Sequence, residues 1–195
     1  MKYVSTRGHA APVNFIEACL AGLAPDGGLY VPEIWPDIAP PAPDAPYALS
    51  AARILSAFAG DAISQDDLQA LCTRAYDSFS HAKVAPLTTF GPDQWIMELY
   101  HGPTLAFKDV AMQIIAQLYE HALRQSDKKL SIICATSGDT GGAAAAAFTG
   151  SEHVQLYILH PEGRISPVQR RFMTTTGADN VHNIALEGDF DDCQA

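Results

Sequence analysis

The chain has 195 residues, of which 48% are apolar and 17% are charged, and its formal net charge at pH 7 is −10. This length and apolar content suffice for one ordinary domain, or for one domain plus a small appendage. The acidic balance argues against a nucleic-acid partner, because phosphate backbones bind basic surfaces.

Further classes of protein are excluded by the short apolar runs and by the spacing of the cysteines and histidines. No apolar run approaches the ~20 residues that a membrane-spanning helix needs, so no membrane partner is predicted. Residues 1–8 contain no apolar stretch typical of a signal peptide. The four cysteines lie far apart without a C-x-x-C pair, and the seven histidines form no closely spaced ligand set. The sequence therefore predicts a cytoplasmic protein with reduced thiols and no metal site.

Residues 1–84 predict a small helical N-terminal domain. Apolar residues recur with helical spacing over 13–22, 47–59 and 64–78, and Ser64 with Asp67 resembles a capping box. Residues 23–32 predict a turn that leads into a short extended piece. Five prolines between Pro36 and Pro46 make that stretch an irregular connection.

Residues 85–195 alternate between strand and helix patterns. Strands are predicted over 95–100, 130–135, 154–159 and 181–186. Helices are predicted over 105–124, 141–148 and 167–175, the last with Ser166 as N-cap and Pro167 at the first helical position. This alternation is typical of an α/β domain with a mostly parallel sheet and flanking helices. Another helix is predicted to begin near Asp189, so close to the last residue that the chain looks truncated at its C-terminal end.

Lys108 is the first candidate for catalysis. It falls in the first turn of the predicted helix 105–124, where the helix dipole favours the neutral amine. The apolar neighbours Ala106 and Phe107 act in the same direction by excluding water. A neutral lysine can form a Schiff base with an aldehyde cofactor. The ordinary alternative is a solvated pair of Lys108 and Asp109 on the helix surface.

The second candidate is the turn between the strand at 130–135 and the helix that follows it. Backbone N–H groups at such a helix start are unpaired, and small residues allow a ligand to come close. The hydroxyls of Thr136, Ser137 and Thr140 add donors, so the predicted guest is a carboxylate or a phosphate at the carboxyl edge of the sheet. Such a turn is often only a tight turn. Together with Lys108, however, it describes a site for an amino-acid carboxylate and an aldehyde cofactor.

Two further features have mainly structural interpretations. His101 adjoins the lysine segment, and a structural hydrogen bond is the expected role. The arginines at 164, 170 and 171 form a small basic cluster that could attract an anionic substrate, although solvated helix charges are the default.

These motifs together resemble the threonine synthases, pyridoxal-phosphate (PLP) enzymes with the tryptophan-synthase-β type of fold. His-Gly-Pro-Thr-Leu-Ala-Phe-Lys-Asp at 101–109 is similar to their cofactor-lysine segment, and Thr-Ser-Gly-Asp-Thr-Gly at 136–141 is similar to their substrate loop. Ser-Thr-Arg-Gly at 5–8 and residues 22–33 resemble their N-terminal domain, and residues 161–167 and 190–195 continue the likeness. The resemblance covers essentially the whole chain. It implies an N-terminal domain at 1–84 and an incomplete PLP-binding domain at 85–195.

The resemblance implies a role for each matched residue. Lys108 matches the lysine that holds the cofactor, and Phe107 is placed against the cofactor ring. Asp139 occupies the position where related enzymes have an asparagine near the 3′-oxygen of the cofactor. The substrate carboxylate would be held by the loop that contains Thr136, Ser137, Gly138 and Thr140.

The implied reaction converts O-phospho-L-homoserine and water into L-threonine and phosphate. Two alternatives stay open: a related PLP dehydratase or β-replacing enzyme that acts on serine or threonine, and a non-catalytic module that binds small anions through the 136–141 loop. Members of the family run well beyond 195 residues, and their second glycine-rich loop, which grips the cofactor phosphate, has no counterpart here. This chain alone is therefore expected to be inactive, and its oligomeric state is left open.

Overall fold

A computed structural model describes residues 1–194, which form two compact units. The first unit is Met1–Ala75, and the second begins at Tyr76. The domain boundary at 84/85 stays a prediction of the sequence. Within residues 1–194, no helix combines a membrane-spanning length with enough apolar character to cross a bilayer.

The first unit is mainly helical, as the sequence predicts. Its elements are β1 (Tyr3–Ser5), α1 (Phe15–Ala21), β2 (Tyr30–Pro32), α2 (Tyr47–Ala59), a 3-10 turn at Gly60–Ala62 and α3 (Gln65–Tyr76). The two strands pair antiparallel, and the core contains the fully buried Leu68, Leu71 and Cys72. The three predicted helices are confirmed, α2 with both of its predicted ends.

Side-chain caps explain where two of these helices begin. Asn14 Oδ1 accepts from the Glu17 amide, and the Glu17 carboxylate accepts from the Asn14 amide, so α1 begins with a complete capping box. Ser64 Oγ likewise accepts from the Asp67 amide at 3.1 Å. The Asp67 carboxylate, however, accepts from the Ser64 hydroxyl, because its side chain is one carbon shorter than that of glutamate.

The second unit opens with a β-hairpin. Strands β3 (Leu87–Gly91) and β4 (Gln94–Met97) pair antiparallel, and Asp93 adopts a left-handed φ of 56° in the connection. The predicted strand over 95–100 overlaps β4 but extends too far, and β3 has no counterpart among the predicted strands.

A parallel sheet organises the rest of the unit and confirms the predicted α/β class. After α4 (Asp109–Ser126) come β5 (Leu130–Ala135), α5 (Asp139–Phe148), β6 (Val154–Pro161), α6 (Pro167–Thr174) and β7 (Val181–Leu186). The strand order is β5-β6-β7, and both pairs are parallel. The central strand β6 buries Val154, Leu156 and Ile158. Since α5 and α6 each follow a strand, their N-termini lie at the carboxyl edge of the sheet.

The helix predicted near Asp189 corresponds to a capped turn. Asp189 Oδ1 accepts from the amides of Asp191 (2.9 Å) and Asp192 (3.1 Å), and the Asp192 carboxylate accepts from the Asp189 amide at 2.7 Å. Residues 190–194 form hydrogen-bonded turns, and Ala195 lies outside the described residues.

Candidate active site

The lysine segment is a tight loop, and α4 begins later than predicted. The helix starts at Asp109 and not at Leu105, so Lys108 is the N-cap residue, with φ −63° and ψ −22°. Leu105 adopts a positive φ of 61°, which no helical residue can have. The predicted start is therefore wrong by four residues, because the apolar spacing of residues 105–107 continues the helical pattern while the backbone does not.

A buried carboxylate holds this loop. Asp109 is fully buried, and its two oxygens accept from the Thr104 amide at 2.8 Å and from the Thr104 hydroxyl at 2.7 Å. A Cβ atom on Gly102 would overlap the Asp109 side chain, so only glycine fits there. Asp109 is thus tied into the loop and does not form a solvated surface pair with Lys108.

Lys108 itself is half-buried, and its amine lies against an aromatic ring. Its Nζ atom is 4.2 Å from the centroid of the Phe107 ring, which is 57% exposed. A ring face attracts an ammonium group. Phe107 therefore contacts the lysine directly, whereas its predicted contact with a cofactor ring stays a prediction.

His101 has a structural hydrogen bond, as expected. Its Nε2 atom is 2.7 Å from the Glu98 carboxylate, which also accepts from the Thr88 hydroxyl at 2.7 Å. The Thr88 hydroxyl and then His101 lower the pKa of Glu98. The main-chain oxygen of His101 accepts from the Ser80 amide at 2.9 Å. These bonds connect the β3–β4 hairpin to the chain that leads into the lysine loop.

The turn after β5 is shaped by one threonine side chain. Thr136 is 1% exposed, and its Oγ1 atom accepts from the amides of Gly138 (3.0 Å) and Gly141 (2.9 Å). The Thr136 hydroxyl oxygen is thus bound within the loop and faces inward. Among the residues that the structure describes, the amides of Asp139 and Thr140 have no hydrogen-bond acceptor. These two amides therefore remain available at the start of α5.

Gln169 was not among the candidate residues, yet it joins the site. Its side-chain amide donates to Asp139 Oδ1, and its Oε1 atom accepts from the Ser166 hydroxyl at 2.9 Å. The sequence does contain a signal for it, since Ser166 and Gln169 have the spacing of a capping box. What the sequence could not show is the contact with Asp139, thirty residues earlier in the chain.

A cavity of about 230 Å³ brings the two predicted segments together. One wall contains Thr104, Leu105 and Ala106 from the lysine loop. The other contains Gly138, Asp139 and Gly142 from the start of α5, together with Ser166, Val168, Gln169 and Phe172. Lys108, Thr136, Ser137 and Thr140 are not among its lining residues. The structure thus joins the lysine loop to the 138–142 turn, and the roles of the individual side chains stay predictions.

The basic cluster lies apart from this cavity. Arg164, Arg170 and Arg171 are exposed, and none of them forms an ion pair within residues 1–194. Arg170 lines a different cavity, of about 430 Å³, between α6 and the ends of β6 and β7.

Comparisons with known proteins find relatives along the whole length of the chain. A family model described as "Threonine synthase N terminus" matches residues 2–76. Threonine synthase from Pseudomonas aeruginosa is 46% identical to the chain over 199 aligned residues, which cover all of the chain and 42% of that protein. The Escherichia coli threonine synthase is 40% identical, with 100% of the chain and 45% of that protein covered.

A solved structure gives the same result. The crystal structure of PLP-bound threonine synthase from Brucella melitensis matches with a TM-score of 0.93 and 46% identity, and the match covers 100% of the chain and 43% of that structure. The chain thus spans less than half the length of the proteins it resembles.

Proposed function

The chain belongs to the threonine synthase family, as a counterpart of the N-terminal part of its members, and from this premise we propose that Lys108 is the catalytic lysine of a PLP-dependent enzyme. The proposed reaction of the complete protein is the conversion of O-phospho-L-homoserine and water into L-threonine and phosphate. The observation that carries the proposal is the cavity shared by the lysine loop and the turn at the start of α5.

The residues present fit the part of PLP and substrate chemistry that they would serve. An aldehyde needs an amine, and Lys108 supplies one in a half-buried position that Asp109 fixes through Thr104. An amino-acid carboxylate needs several donors, and the unpaired amides of Asp139 and Thr140 lie together at a helix start. Small residues, Gly138 and Gly142, line the cavity beside these amides and leave room for a ligand.

Each side chain then has a distinct task. Lys108 Nζ would hold the cofactor covalently and, once the substrate amine has displaced it, would accept and return protons at the Cα and Cβ atoms of the substrate. When bound, PLP would supply the electron sink that stabilises negative charge at Cα. The amides of Asp139 and Thr140, with the hydroxyls of Ser137 and Thr140, would hold the substrate carboxylate.

Thr136 stabilises the loop of the same site. Its hydroxyl oxygen accepts from the amides of Gly138 and Gly141, and these two bonds hold the bend between β5 and α5. We propose this positioning role for Thr136 in addition to any contact of its own with the substrate. Phe107, whose ring lies against the lysine, would limit the freedom of the amine beside the cofactor.

A cytoplasmic location and a small-molecule substrate complete the proposal. The support for the location is that the four cysteines are present as free thiols, two of them fully or nearly buried.

Borohydride trapping tests the proposal directly. The complete protein is incubated with PLP, reduced with sodium borohydride and digested, and the modified peptide is identified by mass spectrometry. We expect a pyridoxyl group on Lys108 in the native protein and in the control Lys128→Ala, whose lysine is exposed two residues beyond the end of α4. Lys108→Ala should lose the label and phosphate release from O-phospho-L-homoserine, without loss of folding.

The substrates decide among the alternatives. Phosphate release from O-phospho-L-homoserine supports the proposed reaction, whereas turnover of serine or threonine alone would support a dehydratase. The absence of any label on Lys108 in the native protein would contradict the enzyme proposal and would favour a module that only binds anions.

A further inference from the structure

We propose that Gln169 is a positioning residue of the site: it fixes the Asp139 carboxylate and offers a hydrogen-bond donor to an anionic oxygen of the ligand in the cavity. This inference rests on the proposed function, because the ligand it concerns is the cofactor with its substrate. It assigns a role to a residue of α6, which neither of the two predicted site segments contains.

The hydrogen bonds determine which way the Gln169 amide faces. Ser166 Oγ accepts from the Gln169 main-chain amide at 3.2 Å, so the Ser166 hydroxyl proton is free to be donated. It goes to Gln169 Oε1 at 2.9 Å. The other end of the side chain, Nε2, then faces Asp139 Oδ1, which as a carboxylate oxygen requires a donor. The reverse orientation would place a carbonyl oxygen against a carboxylate.

The backbone of the α5 turn is built to allow this contact. Gly138 has a φ of 141°, and a Cβ atom there would overlap the Gln169 side chain. Glycine at this position therefore serves two purposes: it permits the unusual backbone conformation, and it allows the side chain from α6 to reach the start of α5.

The chemical consequence follows from counting donors and acceptors. A primary amide has two N–H groups, and one of those on Gln169 Nε2 is engaged by Asp139. An ionised Asp139 can only accept, so it cannot bind an anionic oxygen by itself. Gln169 and Asp139 both line the cavity of about 230 Å³. The second N–H of Gln169 therefore supplies the donor that the carboxylate lacks.

Three variants of the complete protein test this role. In Gln169→Glu the donor becomes a second acceptor of nearly the same shape, and two carboxyl groups face each other. In Ser166→Ala the amide is intact but loses the bond that orients it. The control is Gln125→Glu, the same change at an exposed position on α4.

The readouts are the dissociation constant of PLP, the absorption maximum of the bound cofactor and the melting temperature of the protein without cofactor. For Gln169→Glu we expect PLP affinity to fall at least tenfold and the absorption maximum to shift, because a charge-assisted hydrogen bond is lost. Ser166→Ala should weaken PLP binding by a smaller factor. Gln125→Glu should leave all three readouts unchanged, and all variants should melt within a few degrees of the native protein.

Exchanging the side-chain types of Asp139 and Gln169 distinguishes a positioning role of Gln169 from a packing role. The double variant Asp139→Asn with Gln169→Glu restores an amide facing a carboxylate with the roles reversed. We expect it to recover most of the PLP affinity that Gln169→Glu alone loses, which two independent substitutions would not do.

The outcomes distinguish this inference from the proposed function. If the native protein binds no PLP and Lys108 takes no label, the proposed function fails. If the native protein binds PLP but Gln169→Glu behaves like Gln125→Glu, the role of Gln169 is refuted while the proposed function stands. Loss of affinity without a spectral shift and without recovery in the double variant would likewise refute the role, because it would indicate packing alone.

Discussion

The bond between Thr104 and Asp109 gives the sharpest prediction about the lysine loop. Thr104→Val keeps the shape of the side chain and the backbone amide, but it removes the hydroxyl that donates to Asp109 at 2.7 Å. Because Asp109 is fully buried, water cannot take the place of that donor. We therefore expect the loop that presents Lys108 to loosen.

The size of the effect follows from the kind of bond that is lost. A hydrogen bond to a charged group contributes about 1.5–3 kcal/mol, and its removal here leaves a buried carboxylate oxygen without a partner. Thr104→Ser, the matched control, keeps the hydroxyl and loses one buried methyl group, which costs about 0.8 kcal/mol. Thr104→Val should accordingly destabilise the loop by about 1–2 kcal/mol more than the serine variant does.

Amide hydrogen exchange of the complete protein measures this loop directly. The amide at position 104 donates to Asp109 at 2.8 Å, so its exchange requires the loop to open. A change of 1.5–3 kcal/mol corresponds to exchange that is roughly 10-fold to 150-fold faster. Equal exchange rates in the valine and serine variants would refute the reasoning, because the hydroxyl would then contribute nothing to holding the loop.

Three further predictions concern other parts of the chain. Gly141→Ala should lower the free energy of unfolding by about 1–3 kcal/mol, since its Cβ would overlap neighbouring core atoms. Gly142→Ala should lower it by less, because the nearest atom to its Cβ is Phe172 Cβ at 3.2 Å, and urea unfolding of both variants measures the difference. Hydrogen bonds from the Ser5 hydroxyl and the Gly28 amide lower the pKa of Asp26 to about 2. The ionised Asp26 therefore stabilises the fold above about pH 4, and this stabilisation is lost as the pH falls through 2. A carbon-13 titration of the Asp26 carboxyl should show the lowered pKa. Asn180→Ala should cost about 2–4 kcal/mol in urea unfolding. This buried side chain makes three hydrogen bonds to main-chain groups of Phe148, Gly150 and Val154, between the end of α5 and the first residue of β6.

Elements with strong local signals were predicted closely. The ends of α2, β5 and β7 agree with the predicted ranges 47–59, 130–135 and 181–186. In each of these, apolar spacing and flanking turn residues point to the same boundaries. The start of α4 was missed because its boundary depends on Asp109, which points inward to Thr104. An aspartate after a lysine carries no local sign of whether it is buried.

The meeting of the two candidate segments could be predicted for a similar reason, whereas the role of each residue stays a prediction. Sequence spacing showed that two helix starts carry suitable chemistry, and parallel topology then brings residues 104–106 and 138–142 to one cavity. It could not show which way each side chain turns. The sequence predicts that Thr136 contacts the substrate, which stays a prediction, but it does not reveal that the Thr136 oxygen also accepts from two amides of its own loop. Gln169 reaches Asp139 only because α6 packs beside α5, a contact that no local pattern encodes.

Both loops of the site are stabilised in the same way, and this determines which of their groups can bind a ligand. In each loop a buried threonine hydroxyl is bound within its own loop: Thr104 donates to Asp109, and Thr136 accepts from Gly138 and Gly141. These threonines make the loops rigid before any ligand arrives, which lowers the entropy lost on binding. The groups proposed to bind a ligand are then the Lys108 amine, the first amides of α5, the hydroxyls of Ser137 and Thr140, and the second N–H of Gln169. Substitution of either threonine should therefore act through the geometry of the loop, and it should weaken binding of cofactor and substrate together.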